Sequence, residues 1–494
     1  MTADVRFAAP ANESERGAAE LAALAAYCAA PDDEVLAPDG LARWASARLL
    51  DGLAVITHGH TTPVSAVARS VFPAGGGDAY AWPDLTGAHR ADDAAYLLGV
   101  SAFSENYADT GLGSVAHINS IVVPALLVAI QRRVAAGRPV TGREALAALV
   151  VGYNVMEWAG ATLNGGRPRM AHQLRGFRPT PSAGPLAAVA VLGRLAGHTA
   201  EQLRDALGLA CSQAGGLRPS TASPTSAIRI QSGEALRRSV HTVDLALAGI
   251  VPHPSILRCP GGFFPAYGFG ELGRYDVPVA GGPQELMTMI SMKLECTPHT
   301  LVTMLDAVRA IAARRTFTPA DVESVTVRVP RQHNVISGGD KPYPTTFSEA
   351  AGHVPYCIAV AMLTGSHLFP AVIEHGLSDD GVHALTGQVA LVVDDRLSEV
   401  FDDDPTSWPA AVEVRWRDGG TDALEMRAPE TVDWSADDAL AHAAIKAVAL
   451  LGYGVGSRDE LIEEFGAVAD WTDVWARLRD HPFTRWSPEV LHGR

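Results

Sequence analysis

From Asp92 to about Val251 the chain carries helical periodicity and almost nothing else. Apolar residues recur at three- and four-residue spacing over 92–108, 119–137, 142–164, 182–196, 200–216 and 231–250, with no alternating strand pattern between them. Breaks such as Gly137-Arg-Pro and Gly197-His-Thr separate the segments. Six consecutive apolar helices can bury their faces only against one another, so this span predicts a layer of packed antiparallel helices. Ser14–Ala30 and Leu41–His58 read as two further helices ahead of it, after a loose tail.

The character changes after Pro252. His253–Gly270 is a connector rich in glycine, proline and aromatics. Leu286–Leu294 alternates like a strand, Thr300–Arg314 is helical and Val322–Val329 is a half-buried strand ended by Pro330. A polar loop over 331–346, a helix over Ser348–Leu363, a strand over Val389–Val393 and a hairpin of Ala410–Arg415 with Ala423–Met426 follow. Helical pattern returns over Ala436–Leu451 and Asp459–Leu478. The fold class is therefore mainly α with a second α+β domain. The helical domain is built from 1–270 and 430–494, and the smaller domain from 271–429.

A formal charge of −16 over 494 residues excludes the basic surface that nucleic acid or anionic membrane requires. The five cysteines are scattered without a CxxC pair, and the N-terminus has no apolar signal core, which gives the expectation of a soluble cytoplasmic protein. His58-Gly-His60 lacks a third ligand nearby, and Asp402–Asp404 sits in a Pro-flanked loop with no facing acid motif, so neither predicts a metal site. Lysine is almost absent: Lys293, Lys341 and Lys446 are the only three.

Chemistry concentrates at the hinge between the first two helices of the long helical run, within Ala102–Ile130. If the upstream helix persists through the approach to the hinge, Asn106, Asp109 and Thr110 share one face, and Tyr107, Ser114 and His117 lie close by. A carboxylate, a hydroxyl and an imidazole on a corner loosened by Gly111 and Gly113 suit proton transfer. Two interruptions of the helical layer, Asn164–Arg178 and Leu217–Arg229, are polar and arginine-rich, as binding loops on a rigid scaffold tend to be.

Seven phrases in order resemble the MmgE/PrpD family: NYADT…AHINSIVVPALLVA, VGYNV, GFRPTPSAGPLAAVAVLGRLAG, IRIQSGEALRRSV, ILRCPGGFFPAYG, MKLECTPHTLV and AGHVPYCIAVAMLTG. The resemblance implies a helical domain from both chain ends, a lid-like α+β domain, a homodimer, no cofactor and no metal. It also implies elimination or decarboxylation of citrate-like acids, with a proton removed next to a carbonyl or carboxylate. His117, Lys293 and His299 match the family's histidine and lysine positions, and with Asp109 they are the catalytic candidates. Thr110, Asn106, Tyr107, Arg178 and Arg229 are the candidates for holding a small-molecule substrate, among loop arginines that also include Arg167, Arg169 and Arg218.

Departures from the family pattern are concentrated at these same positions. Asn106 and Ala108 replace hinge acids, Gly111 leaves room, Arg178 replaces a histidine, Ile228 a lysine, Gln231 a histidine and Arg258 an acid. Three readings stay open: a cofactor-independent lyase or isomerase acting on something other than 2-methylcitrate, a tailoring dehydratase or cyclase with a bulkier substrate, and a non-catalytic binding protein. In each, Asp109, Thr110, His117, Arg178, Arg229, Lys293 and His299 are expected to border one cleft between the domains.

Overall fold

A computed structural model describes residues 11–218, 226–282, 285–337, 342–430 and 435–486. Helices α1 (Ala11–Ala29), α2 (Leu41–His60), α3 (Ala91–Phe103), α4 (Asn119–Ala135), α5 (Gly142–Asn164), α6 (Pro179–Ala196), α7 (Ala200–Ser212) and α8 (Gln231–Leu247) form the expected layer. Local chemistry sets their ends. Thr141/Glu144 and Thr199/Gln202 make capping boxes at α5 and α7, and Gly197 closes α6 in the left-handed region at φ 81°. α5 is long and apolar enough to cross a membrane, yet it is wholly buried among its neighbours. Close approach relies on glycine: a Cβ at Gly52 would lie 2.5 Å from Val123 Cγ2, where α2 meets α4.

The last long helix, Ala436–Leu451, packs along α2, so both chain ends build the helical layer. Between them lies a four-stranded sheet of β3 (Val322–Val329), β4 (Val389–Val393), β5 (Ala410–Trp416) and β6 (Thr421–Met426), in the order β4-β3-β5-β6. The β3–β4 pair is parallel and the others antiparallel. Helix Val302–Ala312 packs on β5 and β6, and helix Val354–Thr364 packs on β4. β1 (Thr110–Gly111) and β2 (Ile290–Ser291) pair antiparallel and stitch the hinge to the start of the small domain.

Several expectations are corrected. α3 stops at Phe103, and Asn106 takes φ +63°, so Asn106, Asp109 and Thr110 do not share a helical face. Only Ile290–Ser291 of the expected strand 286–294 is extended, because its partner is a two-residue segment of the hinge. The loop over 331–346 opens with a helix, Arg331–Ser337; the part over 338–341 lies outside the described residues. The helix over 348–363 is two pieces, Phe347–Ala350 and Val354–Thr364, with His353 capping the second. The helix over 459–478 likewise divides into Arg458–Gly466 and Val474–Asp480.

Candidate active site

Residues 104–118 form an irregular buried corner held from three sides. From the helical layer, Asp109 accepts hydrogen bonds from the Asn119 amide at 2.9 Å and the Tyr153 hydroxyl at 2.7 Å. Its carboxylate thereby caps α4 and ties the corner to α5. Burial raises its pKa, against the lowering effect of Arg48. From the C-terminal helix, Lys446 donates to Asp51 at 2.6 Å and to the Tyr107 carbonyl at 2.8 Å, and Asp51 in turn accepts from Asn119 Nδ2. From the start of the small domain, Lys293 donates to the carbonyls of Asn106 and Thr297. Lys293 is fully buried with no carboxylate bonded to it among the described residues, and burial, then Lys446, push its pKa down to about 7.

His117 sits inside this frame with its ring 4.8 Å from that of Phe103. Nδ1 lies 3.0 Å from the Asp109 carbonyl and 3.3 Å from Thr110 Oγ1. A carbonyl can only accept, so Nδ1 carries the proton of the neutral ring and the lone pair lies on Nε2. Burial lowers the His117 pKa well below its usual value, and Lys293, Arg178 and His299 are near enough for their charges to lower it further. His299 is 5% exposed, stands 4.4 Å from the Trp408 ring and is held neutral by burial and then by Lys293.

The arginines separate into two groups. Arg178 and Arg229 lie over the Phe103 ring at 4.4 and 5.6 Å. Arg178 donates to the Ile228 carbonyl at 2.8 Å and to Gln231, and Arg229 to the Phe103 carbonyl at 3.4 Å. Neither forms an ion pair among the described residues. Burial, then Arg229 and Arg218, bring the Arg178 pKa down to about 9. Two guanidiniums facing neutral acceptors and each other are arranged to receive an anion.

Arg169 and Arg167 belong to the fold instead. The buried Arg169 guanidinium donates to the carbonyls of Leu112, Phe401, Asp404, Pro405 and Ser407, and Arg167 pairs with Asp403. The acidic turn 402–404 thus docks against the segment carrying Arg167 and Arg169. Tyr107 turns its ring to His58 and Phe369 in the core behind the corner. Arg258 pairs with Glu20 on α1 at 2.6 Å.

Residues 22–272 match the MmgE/PrpD N-terminal domain, and residues 298–464 match the MmgE/PrpD C-terminal domain. The chain belongs to the MmgE/PrpD family. Among curated relatives, it is 25% identical to cis-aconitate decarboxylase of Mus musculus over 304 residues, 60% of each chain. To the Homo sapiens cis-aconitate decarboxylase it is 24% identical over 305 residues, again 60% of each. It is 27% identical to cis-aconitate decarboxylase-like protein oryM of Aspergillus oryzae over 320 residues, 62% of this chain and 64% of the relative. These matches span under two thirds of the relatives' own length.

Placed on this family member, the departures acquire neighbours. Arg178 and the carbonyl of Ile228 bond to each other, so two substituted positions form one contact. Gly111 gives no extra room. A Cβ there would come within 1.8 Å of Glu157 Oε2, whose carboxylate accepts from the amides of Gly113 and Ser114 and from Ser114 Oγ. Glu157, Trp408 and the Asp51–Lys446 pair escaped the sequence reading. A lone acid or lysine inside an otherwise apolar helix was the available signal for Glu157 and Lys446.

Proposed function

We propose that this MmgE/PrpD lyase-family member is a cofactor-independent lyase or isomerase that removes a proton next to the carbonyl or carboxylate of an organic acid. The observation that carries the reading is the His117 tautomer beside two arginines that have no ion pair among the described residues. A neutral imidazole with its lone pair on Nε2 is a base ready at neutral pH, and Arg178 and Arg229 supply the grip for one carboxylate. The C–H proton passes to His117 Nε2, and its electron pair moves toward the substrate oxygen as an enolate. Lys293, with its pKa near 7, can neutralise that charge or return a proton. His299 completes the polar wall beside Lys293.

Relatives bear the name cis-aconitate decarboxylase, but a tricarboxylate needs several cations at fixed spacing. Here Ile228 stands where the resemblance expects a lysine, and Arg169 is committed to five carbonyls. Losing two charge-assisted contacts lowers kcat/KM on citrate, 2-methylcitrate and cis-aconitate by roughly 10²–10⁴. The test is hydrogen–deuterium exchange at carbon in deuterated buffer, across those acids and a panel of monocarboxylic keto acids. Exchange on keto acids that His117→Ala and His299→Ala abolish is the expected result. Exchange confined to tricarboxylates, or untouched by either substitution, overturns the reading.

A further inference from the structure

His299 does not end the polar wall. Beside it lies Trp408, and against the Trp408 ring also stands His333, from the helix Arg331–Ser337. The His299 ring meets the Trp408 ring edge-on, with planes at 75°, and the His333 ring stacks on it at 5.0 Å with planes 28° apart. His333 is 3% exposed and Trp408 is 1% exposed. Yet both ring nitrogens of His299, both of His333 and Trp408 Nε1 have no hydrogen-bond partner among the described residues. Burying one unsatisfied polar atom costs about 1–3 kcal/mol, and folded proteins keep few of them. Several such atoms around a single indole point to a ligand group that they serve.

The surroundings fix the chemistry of that group. Leu112, Val115, Met170 and Met289 cluster with Phe401 and Trp408 into apolar walls. The neighbouring cation, Arg169, spends both terminal nitrogens on the carbonyls of Leu112, Phe401, Asp404, Pro405 and Ser407, which leaves only Nε, too little to grip a carboxylate bidentately. Burial and Arg169 keep the His333 ring uncharged, with a pKa brought down to about 3. A neutral imidazole offers one N–H donor and one acceptor, the match for a ketone or hydroxyl oxygen. His117, whose proton feels both His299 and Arg178, links the array to the cationic pair Arg178 and Arg229 at the Phe103 ring.

We propose that His333 is a substrate-contacting residue, and that the site takes a monocarboxylate whose apolar chain carries a neutral carbonyl or hydroxyl oxygen to the His299–Trp408–His333 array. This extends the proposed active site and rests on that reading for the arginine end. Two probes of equal length isolate the contact: 6-oxoheptanoate, with a ketone near its far end, and heptanoate, without one. Calorimetric titration of the wild type is expected to show about a tenfold preference for the keto acid, the size of one hydrogen bond to a buried donor. His333→Phe keeps the ring packing, and it should abolish the preference while leaving heptanoate affinity unchanged. His333→Gln, which retains a donor and an acceptor, should keep part of it. As a readout that needs no variant, the His333 Cε1–H resonance of the wild type should move with 6-oxoheptanoate and stay still with heptanoate. A preference that survives His333→Phe, a still resonance, or a wild type that binds neither acid overturns the inference. Binding with the expected preference but no deuterium exchange on any acid leaves this inference standing and overturns the lyase reading instead.

Discussion

Replacing Lys293 with methionine should remove a specific pH dependence from the stability of the protein. Lys293 is fully buried, bonded to two carbonyls and no acid, and its folded-state pKa is about 7 against 10.5 for a free lysine. Between those two values the unfolded chain binds the proton and the folded chain does not. Stability therefore rises with pH across the window from 7 to 10.5, at up to about 1.4 kcal/mol per pH unit. From pH 7 to pH 9 the wild type should gain roughly 2–3 kcal/mol from this group alone, because at pH 7 it is already half titrated. Lys293→Met lacks the group, and all other titrations are common to both proteins. The assay is urea unfolding of wild type and variant at pH 7, 8 and 9, read as the difference between the two stabilities. That difference should shrink by the stated amount as pH rises, the methionine variant being relatively most stable at pH 7. Parallel profiles, within about 0.5 kcal/mol across the range, would refute the reasoning and mean that Lys293 keeps its proton past pH 9.

Other substitutions report on the frame around it. Lys446→Met strands the buried Asp51 carboxylate and should cost about 3–5 kcal/mol in urea unfolding, with much of that recovered in the Lys446→Met/Asp51→Leu double variant. Gly111→Ala places a methyl within 1.8 Å of Oε2 of the Glu157 carboxylate, a group held by three hydrogen bonds across its two oxygens, and should lower stability by about 2–4 kcal/mol on the same assay. Arg178→Gln keeps a donor toward the Ile228 carbonyl but removes the charge. It should weaken carboxylate binding about 10–100-fold by calorimetry, with the melting temperature little changed.

The helical layer was legible because each helix has to bury a stripe, and a stripe leaves a period in the sequence. The strand Val322–Val329 was legible for the same reason with a different period, and Val389–Val393 as a short run rich in β-branched residues. The hinge was not. Its strand, Thr110–Gly111, exists only because Ile290–Ser291 arrives from far along the chain, and α3 ends where Asn106 turns left-handed, not at a glycine or proline. The arginines mark the same limit more sharply. Arg169 and Arg178 flank one loop and look alike in sequence. What separates them is the stretch 401–408, whose carbonyls meet one guanidinium and not the other. His333 was read as part of a polar loop, and only its stacking on Trp408 singles it out.

Two of the chain's three lysines grip adjacent carbonyls of the corner: Lys293 holds that of Asn106, and Lys446 that of Tyr107. The third, Lys341, lies outside the described residues. Their roles diverge through one difference in surroundings. Lys446 has Asp51 against it, so its charge is matched and it fastens the C-terminal helix to α2 and the corner. Lys293 has no acid bonded to it, and the matched lysine nearby is among the groups that press its proton off. A structural cation thus tunes a chemical one. The corner that carries His117 is complete only when the C-terminal helix and the start of the small domain have both docked. Segments from the middle and the last part of the chain therefore set the proton chemistry of a corner in its first quarter, and a substitution at Lys446 should change the titration of Lys293 even where the fold survives.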